Sequence, residues 1–268
     1  SNAIKNLENK INFEIFERNN KKVILTSLGK EFLKEAKNII VQVKDLEKLG
    51  DSSLNSLSRN ISIGIIPTIG AYLLPIVLPP LKHKYPKSNL KIVEAQSELL
   101  LKKLDSGEID IGIIALPYLL KDFETLKFWE EDFFWITHKE YSGFSDSVKS
   151  KDIKKDDLML LEDGHCLKDQ VADLCNLKTN SNINMSASGL NTLVELVAGK
   201  MGSTLVPELS LEQLVSKNPL LRKSHLDEPS PHRELAFAFR KSYKAQSDIL
   251  LLKNLFSYEL SKYFNRPL

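Results

Sequence analysis

A chain of 268 residues, 42% hydrophobic and 27% charged, is long enough to form two compact units around ordinary cores. A formal net charge of +2 says nothing about nucleic acid, and two cysteines exclude a secreted disulfide scaffold. The densest apolar stretch, 61–81, contains Pro67, Pro75, Pro79 and Pro80, which excludes a membrane-spanning helix; with no signal-peptide pattern at its start, the chain is expected in the cytoplasm.

The first feature in chain order is a basic run, Arg18, Lys21 and Lys22 in FERNNKKVILT, which fits a nucleic-acid contact or a solvated turn equally well. Next, Leu28, Phe32, Ala36, Ile39, Val43 and Leu46 recur at spacings of 4, 4, 3, 4 and 3. That spacing predicts one apolar seam along a helix capped by Thr26 and stopped by Gly50. A near-heptad seam ahead of the main body is expected to pair with its copy in a second chain. DSSLNSLSRN, 51–60, is polar and serine-rich and reads as a hinge.

Beyond the hinge, ISIGII, AYLLPIVLPPLKHKY, LKIVEAQ, SELLLKKLDSG and EIDIGIIAL alternate strand and helix. The apolar strands predict a parallel sheet covered on both faces. DLMLLE, the helix after GHC, INMSAS, LNTLVELVAGK and STLVPE repeat the rhythm, and ELAFAFR precedes the closing helix SDILLLKNLFSYELSKYF. The expected fold is α/β: two Rossmann-like subdomains with a cleft between them, where strand C-termini and helix N-termini receive ligands.

Both cysteines fall within EDGHCLKDQVADLC, 162–175. If 167–175 is helical, a rise of about 1.5 Å per residue sets their Cα atoms roughly 13 Å apart. A disulfide needs about 4.4 to 6.8 Å, so the helix and a disulfide exclude one another. Zinc is disfavoured, because His165 and Cys166 are adjacent and no second ligand pair is spaced for a tetrahedral site. Two unrelated buried thiols and a switch both remain open. Cys166 follows a strand and the turn Asp163-Gly164, so a helix N-terminus is expected to favour its thiolate, with His165 adding positive charge or a hydrogen bond.

The order of basic hairpin, seam helix, hinge and two α/β units resembles the LysR-type transcriptional regulators, and LDSGEIDIGIIAL looks like their characteristic segment. More narrowly, IGIIPTIGAYLLP, EAQSELLLKKLDSG and LLEDGHCLKDQVADLC resemble the OxyR-like hydrogen peroxide sensors within that family. The resemblance spans essentially the whole chain. It implies that 1–26 are the end of a winged helix-turn-helix, with Arg18, Lys21 and Lys22 on its wing, and 27–50 a dimerisation helix. Residues 61–131 with 235–268 would form one regulatory subdomain of the periplasmic-binding-protein type, and 132–234 the other. Roughly thirty residues of such a DNA-binding domain are absent, so poor DNA binding is expected; Ser1, Asn2 and Ala3 fit both the family helix and a remnant of cloning.

The resemblance also implies the chemistry. Cys166 is oxidised by peroxide and resolved by Cys175, and Thr68, Ser97, His165, Asp169 and Arg233 occupy the peroxide-pocket positions. Ser97 stands where the family usually has threonine. The family's state is a homodimer, extended to a homotetramer, on promoter DNA, with no cofactor, metal, membrane or enzymatic turnover. Each pocket residue also has a bland reading: Thr68 shapes a turn, Ser97 caps the helix that follows it, Asp169 complements a helix dipole, and His165 and Arg233 sit on the surface. Rival functions are a LysR-type regulator of a small organic effector, a thiol peroxidase and a solute-binding module. The wing and seam helix argue against the last two.

Overall fold

The computed structural model describes residues 2–19, 22–50, 57–143, 145–177 and 186–267, in two units, Ser1–Ser53 and Leu54–Leu268. In the first, α1 (Asn2–Ile11) leads into an antiparallel hairpin of β1 (Phe16–Asn19) and β2 (Lys22–Leu25), followed by α2 (Ser27–Gly50). Buried Glu8 on α1 accepts the Ile15 N–H at 2.8 Å, tying the helix to the base of the hairpin. Thr26 Oγ1 accepts the Gly29 N–H at 2.8 Å, the N-cap contact its position predicts. Gly29 is obligatory there, since a Cβ would stand 2.1 Å from the Ile15 carbonyl oxygen. Arg18 lies on β1, Lys22 is exposed on β2, and Lys21 falls outside the described residues. From the expected seam, Leu28, Ile39, Val43 and Leu46 are exposed, joined by Leu33 and Ile40. Hinge positions 51–56 lie outside the described residues.

The second unit opens as its apolar runs predict, with β3 (Asn60–Ile65), α3 (Pro67–Lys84), β4 (Asn89–Glu94), α4 (Ser97–Asp105) and β5 (Ile111–Leu116). β3 pairs in parallel with both β4 and β5. α3 tolerates Pro67 at its first position, where the missing N–H is no loss. It also contains Pro75, Pro79 and Pro80, while Ile69, Leu73, Val77 and Leu81 form a buried strip at fourfold spacing. Among the described residues no helix is long and apolar enough to cross a membrane.

The expected all-parallel sheets need correction. β6 (Phe123–Glu131), β7 (Phe133–His138), β8 (Ser147–Val148) and β12 (Leu221–Leu226) are strands that the alternating pattern passes over. β13 (Arg233–Arg240) runs antiparallel between β5 and β6, giving the sheet order β4-β3-β5-β13-β6, covered by α8 (Gln246–Phe264). The other sheet has the order β11-β7-β12-β8, with β11 (Thr204–Pro207) and β12 both antiparallel to β7. Beside it β9 (Leu160–Leu161) and β10 (Ser186–Ala187) pair in parallel, and α5 (Cys166–Leu174), α6 (Leu190–Ala198) and α7 (Leu211–Leu214) complete the chain. Of the expected strand INMSAS, positions 183–185 lie outside the described residues. The chain crosses between the two sheets twice, at Asp132 and through 227–232.

Candidate functional site

Two helix N-termini meet at the cysteine, and a third is linked to it through Arg233. α3 starts after β3 and carries Thr68 on its first turn, α4 starts after β4 with Ser97 first, and α5 starts after β9 with Cys166 first. The turn before α5 contains Gly164 at a φ of +94°, a backbone conformation that favours glycine, with the Gln96 side chain lying against it.

Cys166 is a free thiol only 4% exposed. Burial pushes its pKa up; the Ser97 hydroxyl hydrogen bond, the Arg233 guanidinium and the Leu167 backbone N–H pull it down, and the Asp169 carboxylate adds to the rise. The net direction is upward. The expectation of a thiolate favoured by the helix N-terminus is therefore outweighed at rest by loss of solvent around the sulfur. Ser97 is buried and is not the cap of α4, a place taken by Gln96; its hydroxyl serves the sulfur instead.

His165 is the N-cap residue of α5 and is buried. Burial pushes its pKa down, which favours a neutral imidazole and leaves, of the positive charge or hydrogen bond expected, the hydrogen bond. Its Nε2 lies 3.1 Å from Gln96 Nε2, so the amide donates there, while the Ser188 backbone bonds the ring elsewhere. Asp169 is exposed, and partial burial raises its carboxyl pKa. It faces Cys166 and the half-buried Tyr118 through its charge.

Arg233, at the start of β13, is 1% exposed, not the surface residue of the bland reading. Its Nε and Nη2 donate to Glu131 Oε1 at 2.8 and 2.7 Å, its Nη2 reaches the Thr68 carbonyl at 3.3 Å, and its Nη1 reaches Thr68 Oγ1 at 3.5 Å. A cavity of about 440 Å³ lies beside it, bounded by Leu116, Pro117, Tyr118 and His232.

Cys175 is the C-cap residue of α5, 2% exposed, and its N–H still donates to the Val171 carbonyl at 3.0 Å. Burial pushes its thiol up to about 11, with Lys155 pulling down and Glu228 pushing up. One unbroken helix separates the two thiols, and a rise of about 1.5 Å per residue keeps them roughly 13 Å apart. Among the described residues no group of three or more His, Cys, Asp and Glu side chains could hold a metal ion.

Sequence reasoning missed Gln96, Glu131 and Gln170. Glu131 sits in WEED, which reads as surface charge, yet its side chain is fully buried against Arg233. Gln170 is one turn from Cys166 on the same helix face, buried, with neither amide atom partnered among the described residues. Its spacing from Cys166 was the one available signal.

The family described as LysR substrate binding domain matches residues 55–257. A probable hydrogen peroxide-inducible genes activator of Streptomyces viridosporus is 31% identical over 90% of this chain and 78% of its own length. The HTH-type transcriptional regulator EstR of Acinetobacter baylyi is 33% identical over 92% of this chain and 83% of its own length. Among solved structures, a full-length OxyR variant from Pseudomonas aeruginosa superposes with a TM-score of 0.75 at 28% identity, covering 95% of this chain and 86% of that one. A peroxide-bound OxyR mutant from Corynebacterium glutamicum gives 0.71 at 29% identity, covering 100% and 88%.

Proposed function

The chain belongs to the LysR family of transcriptional regulators, and on that premise we propose that it is an OxyR-like sensor that detects hydrogen peroxide at Cys166 and activates antioxidant genes. Members of the family are regulators that bind DNA, not enzymes. The observation that carries the reading is the surrounding of Cys166: a sulfur at a helix N-terminus, faced by the Ser97 hydroxyl and the Arg233 guanidinium, with a second thiol at the far end of the same helix.

In this mechanism the Cys166 thiolate attacks one peroxide oxygen, the O–O bond breaks, and the departing hydroxide takes up a proton to leave as water. Thr68 and Arg233 supply donors to the oxygens, while Ser97 stabilises the thiolate before attack. The Cys175 thiol then gives up its proton and attacks the sulfenic sulfur, water leaves, and a disulfide forms. Because intact α5 holds the sulfurs apart, the disulfide forms only when the helix opens, and that refolding alters subunit packing. Promoter contact falls to the intact winged domain, with Arg18, Lys21 and Lys22 on its wing, acting in the cytoplasm.

The exposed strip of Ile39, Val43 and Leu46 supports pairing of α2 with a second copy, as homodimer and then homotetramer. The double change Ile39→Asp, Val43→Asp is expected to give monomers; a sedimentation coefficient equal to the wild type's would defeat that assignment.

A second reading, a small organic effector held in the cleft, is favoured by the cavity beside Arg233 and by the kinship with EstR, whose name mentions no peroxide. Thiol trapping with mass spectrometry after a stoichiometric peroxide pulse separates the possibilities. One Cys166–Cys175 disulfide per chain is expected. Unchanged thiols would sink the sensor and favour the effector, and continuous peroxide turnover would indicate a peroxidase.

A further inference from the structure

We infer that Glu131 is a positioning residue for this chemistry, its carboxylate fixing the guanidinium of Arg233 in the orientation that faces Thr68 and Cys166. The inference rests on the peroxide reading of the site and deepens it. Glu131 closes β6 and Arg233 opens β13, and the register sets them directly opposite each other. Both side chains are fully buried, so neither solvent nor a mobile surface charge holds the pair in place.

The bond lengths rank the restraints. Arg233 reaches Glu131 at 2.7 and 2.8 Å but Thr68 only at 3.3 and 3.5 Å, so Glu131 sets the plane of the guanidinium and Thr68 receives what that plane presents. Glu131 is itself fixed from a second direction: its Oε2 accepts the Leu209 N–H at 2.7 Å, from the turn that follows β11. The Phe133 ring, 5.9 Å from the Arg233 Cζ, lies along the guanidinium as well. With Nε and Nη2 engaged, Nη1 makes only its long contact to Thr68 among the described residues. It therefore keeps an N–H to offer an oxygen bound there, and the charge it carries already reaches the Cys166 sulfur.

The test compares wild type with Glu131→Gln, which retains size and polarity but cannot accept from both Arg233 and Leu209. Two quantities are read: the rate of peroxide consumption, and the ultraviolet absorbance of the thiolate against pH in a Cys175→Ser background, which needs no peroxide. In the wild type, with burial holding the thiol up, the rate should climb with pH through and beyond the ordinary cysteine range. In Glu131→Gln the rate should fall at least about tenfold, and thiolate should form only at higher pH, because a loosened guanidinium no longer faces the sulfur. Unchanged rate and titration would overturn the inference. So would thiolate formation at lower pH with a faster reaction, since Glu131 would then only offset a charge that stays in place without it.

Removing one member of a buried pair leaves the other alone, and Glu131→Gln could fail to fold for that reason. Glu131→Asp is therefore measured as well: it keeps the charge, so no partner is stranded, but its shorter side chain cannot reach Arg233 and Leu209 together. The same fall in rate and the same shift of thiolate formation to higher pH are expected; a Glu131→Asp protein with the wild-type rate and titration would overturn the inference. A wild type inert to peroxide defeats the sensor reading and this inference together, whereas a reactive wild type matched by Glu131→Gln defeats the inference alone.

Discussion

Cys166→Ser is expected to abolish rapid peroxide consumption and disulfide formation, leaving a folded protein with Cys175 reduced. Both thiols are buried and pushed upward, so burial does not distinguish them. Their neighbours do. Around Cys166 a hydroxyl, a guanidinium and a backbone N–H favour the anion, against the carboxylate of Asp169. Cys175 has only Lys155 in its favour and Glu228 against it, and it closes the helix, where the exposed carbonyls oppose negative charge. With its thiol pushed to about 11, roughly one Cys175 in ten thousand is thiolate at neutral pH. Serine at 166 keeps nearly the same volume but offers no anion at such pH, so the reaction is lost without a cavity. Stopped-flow measurement of peroxide loss provides the check. A Cys166→Ser protein that consumes one equivalent at the wild-type rate would show that Cys175, or another group, reacts first.

The parts of the fold that could be read ahead were those written in periodicity. The seam from Leu28 to Leu46 and the cap at Thr26 define α2, and the apolar runs around Ile63 and Ile113 define the parallel core. β6 and β12 escaped for a physical reason: FETLKFWEE and LRKSHL interleave charges with buried residues, because only some positions of each strand are buried. At the site, the GHC motif and the turn before it located Cys166, and the resemblance brought in Thr68, Ser97 and Arg233 from elsewhere in the chain. What the motif could not convey was desolvation. A helix N-terminus is visible in sequence; the burial that lifts the Cys166 thiol and keeps His165 neutral comes from parts of the chain far from the motif, among them Ser97 on α4 and Arg233 on β13 at the sulfur and Gln96 at the imidazole. For the same reason nothing in the sequence marks Glu131, whose partner Arg233 comes opposite it only in the sheet.

Oxidation should strip hydrogen-exchange protection from 167–177 while leaving the parallel core of β3 and β5 protected. Three backbone bonds hold the end of α5 closed: Cys175 N–H to Val171 O at 3.0 Å, Asn176 N–H to Asp173 O at 3.1 Å and Leu177 N–H to Ala172 O at 2.9 Å. To bring the sulfurs within disulfide range, the Cα separation must fall from roughly 13 Å to about 5.5 Å. No rotamer change covers that gap, so these bonds break. Releasing the buried Leu167 and Val171 costs about 1.5 to 3 kcal/mol each. Part is returned by Gln170, whose buried amide lacks partners among the described residues and gains water on opening; such a group is worth about 1 to 3 kcal/mol. The balance leaves a helix that is closed at rest yet within reach of opening, with the disulfide holding the open form in strain and ready for reduction. In the reduced protein these amides should exchange at least about a hundredfold more slowly than in the oxidised one, the ratio set by a few kcal/mol of local opening. Equal protection in both states, with the disulfide confirmed by mass, would mean that the thiols meet without unwinding α5, and the switch as drawn would fail.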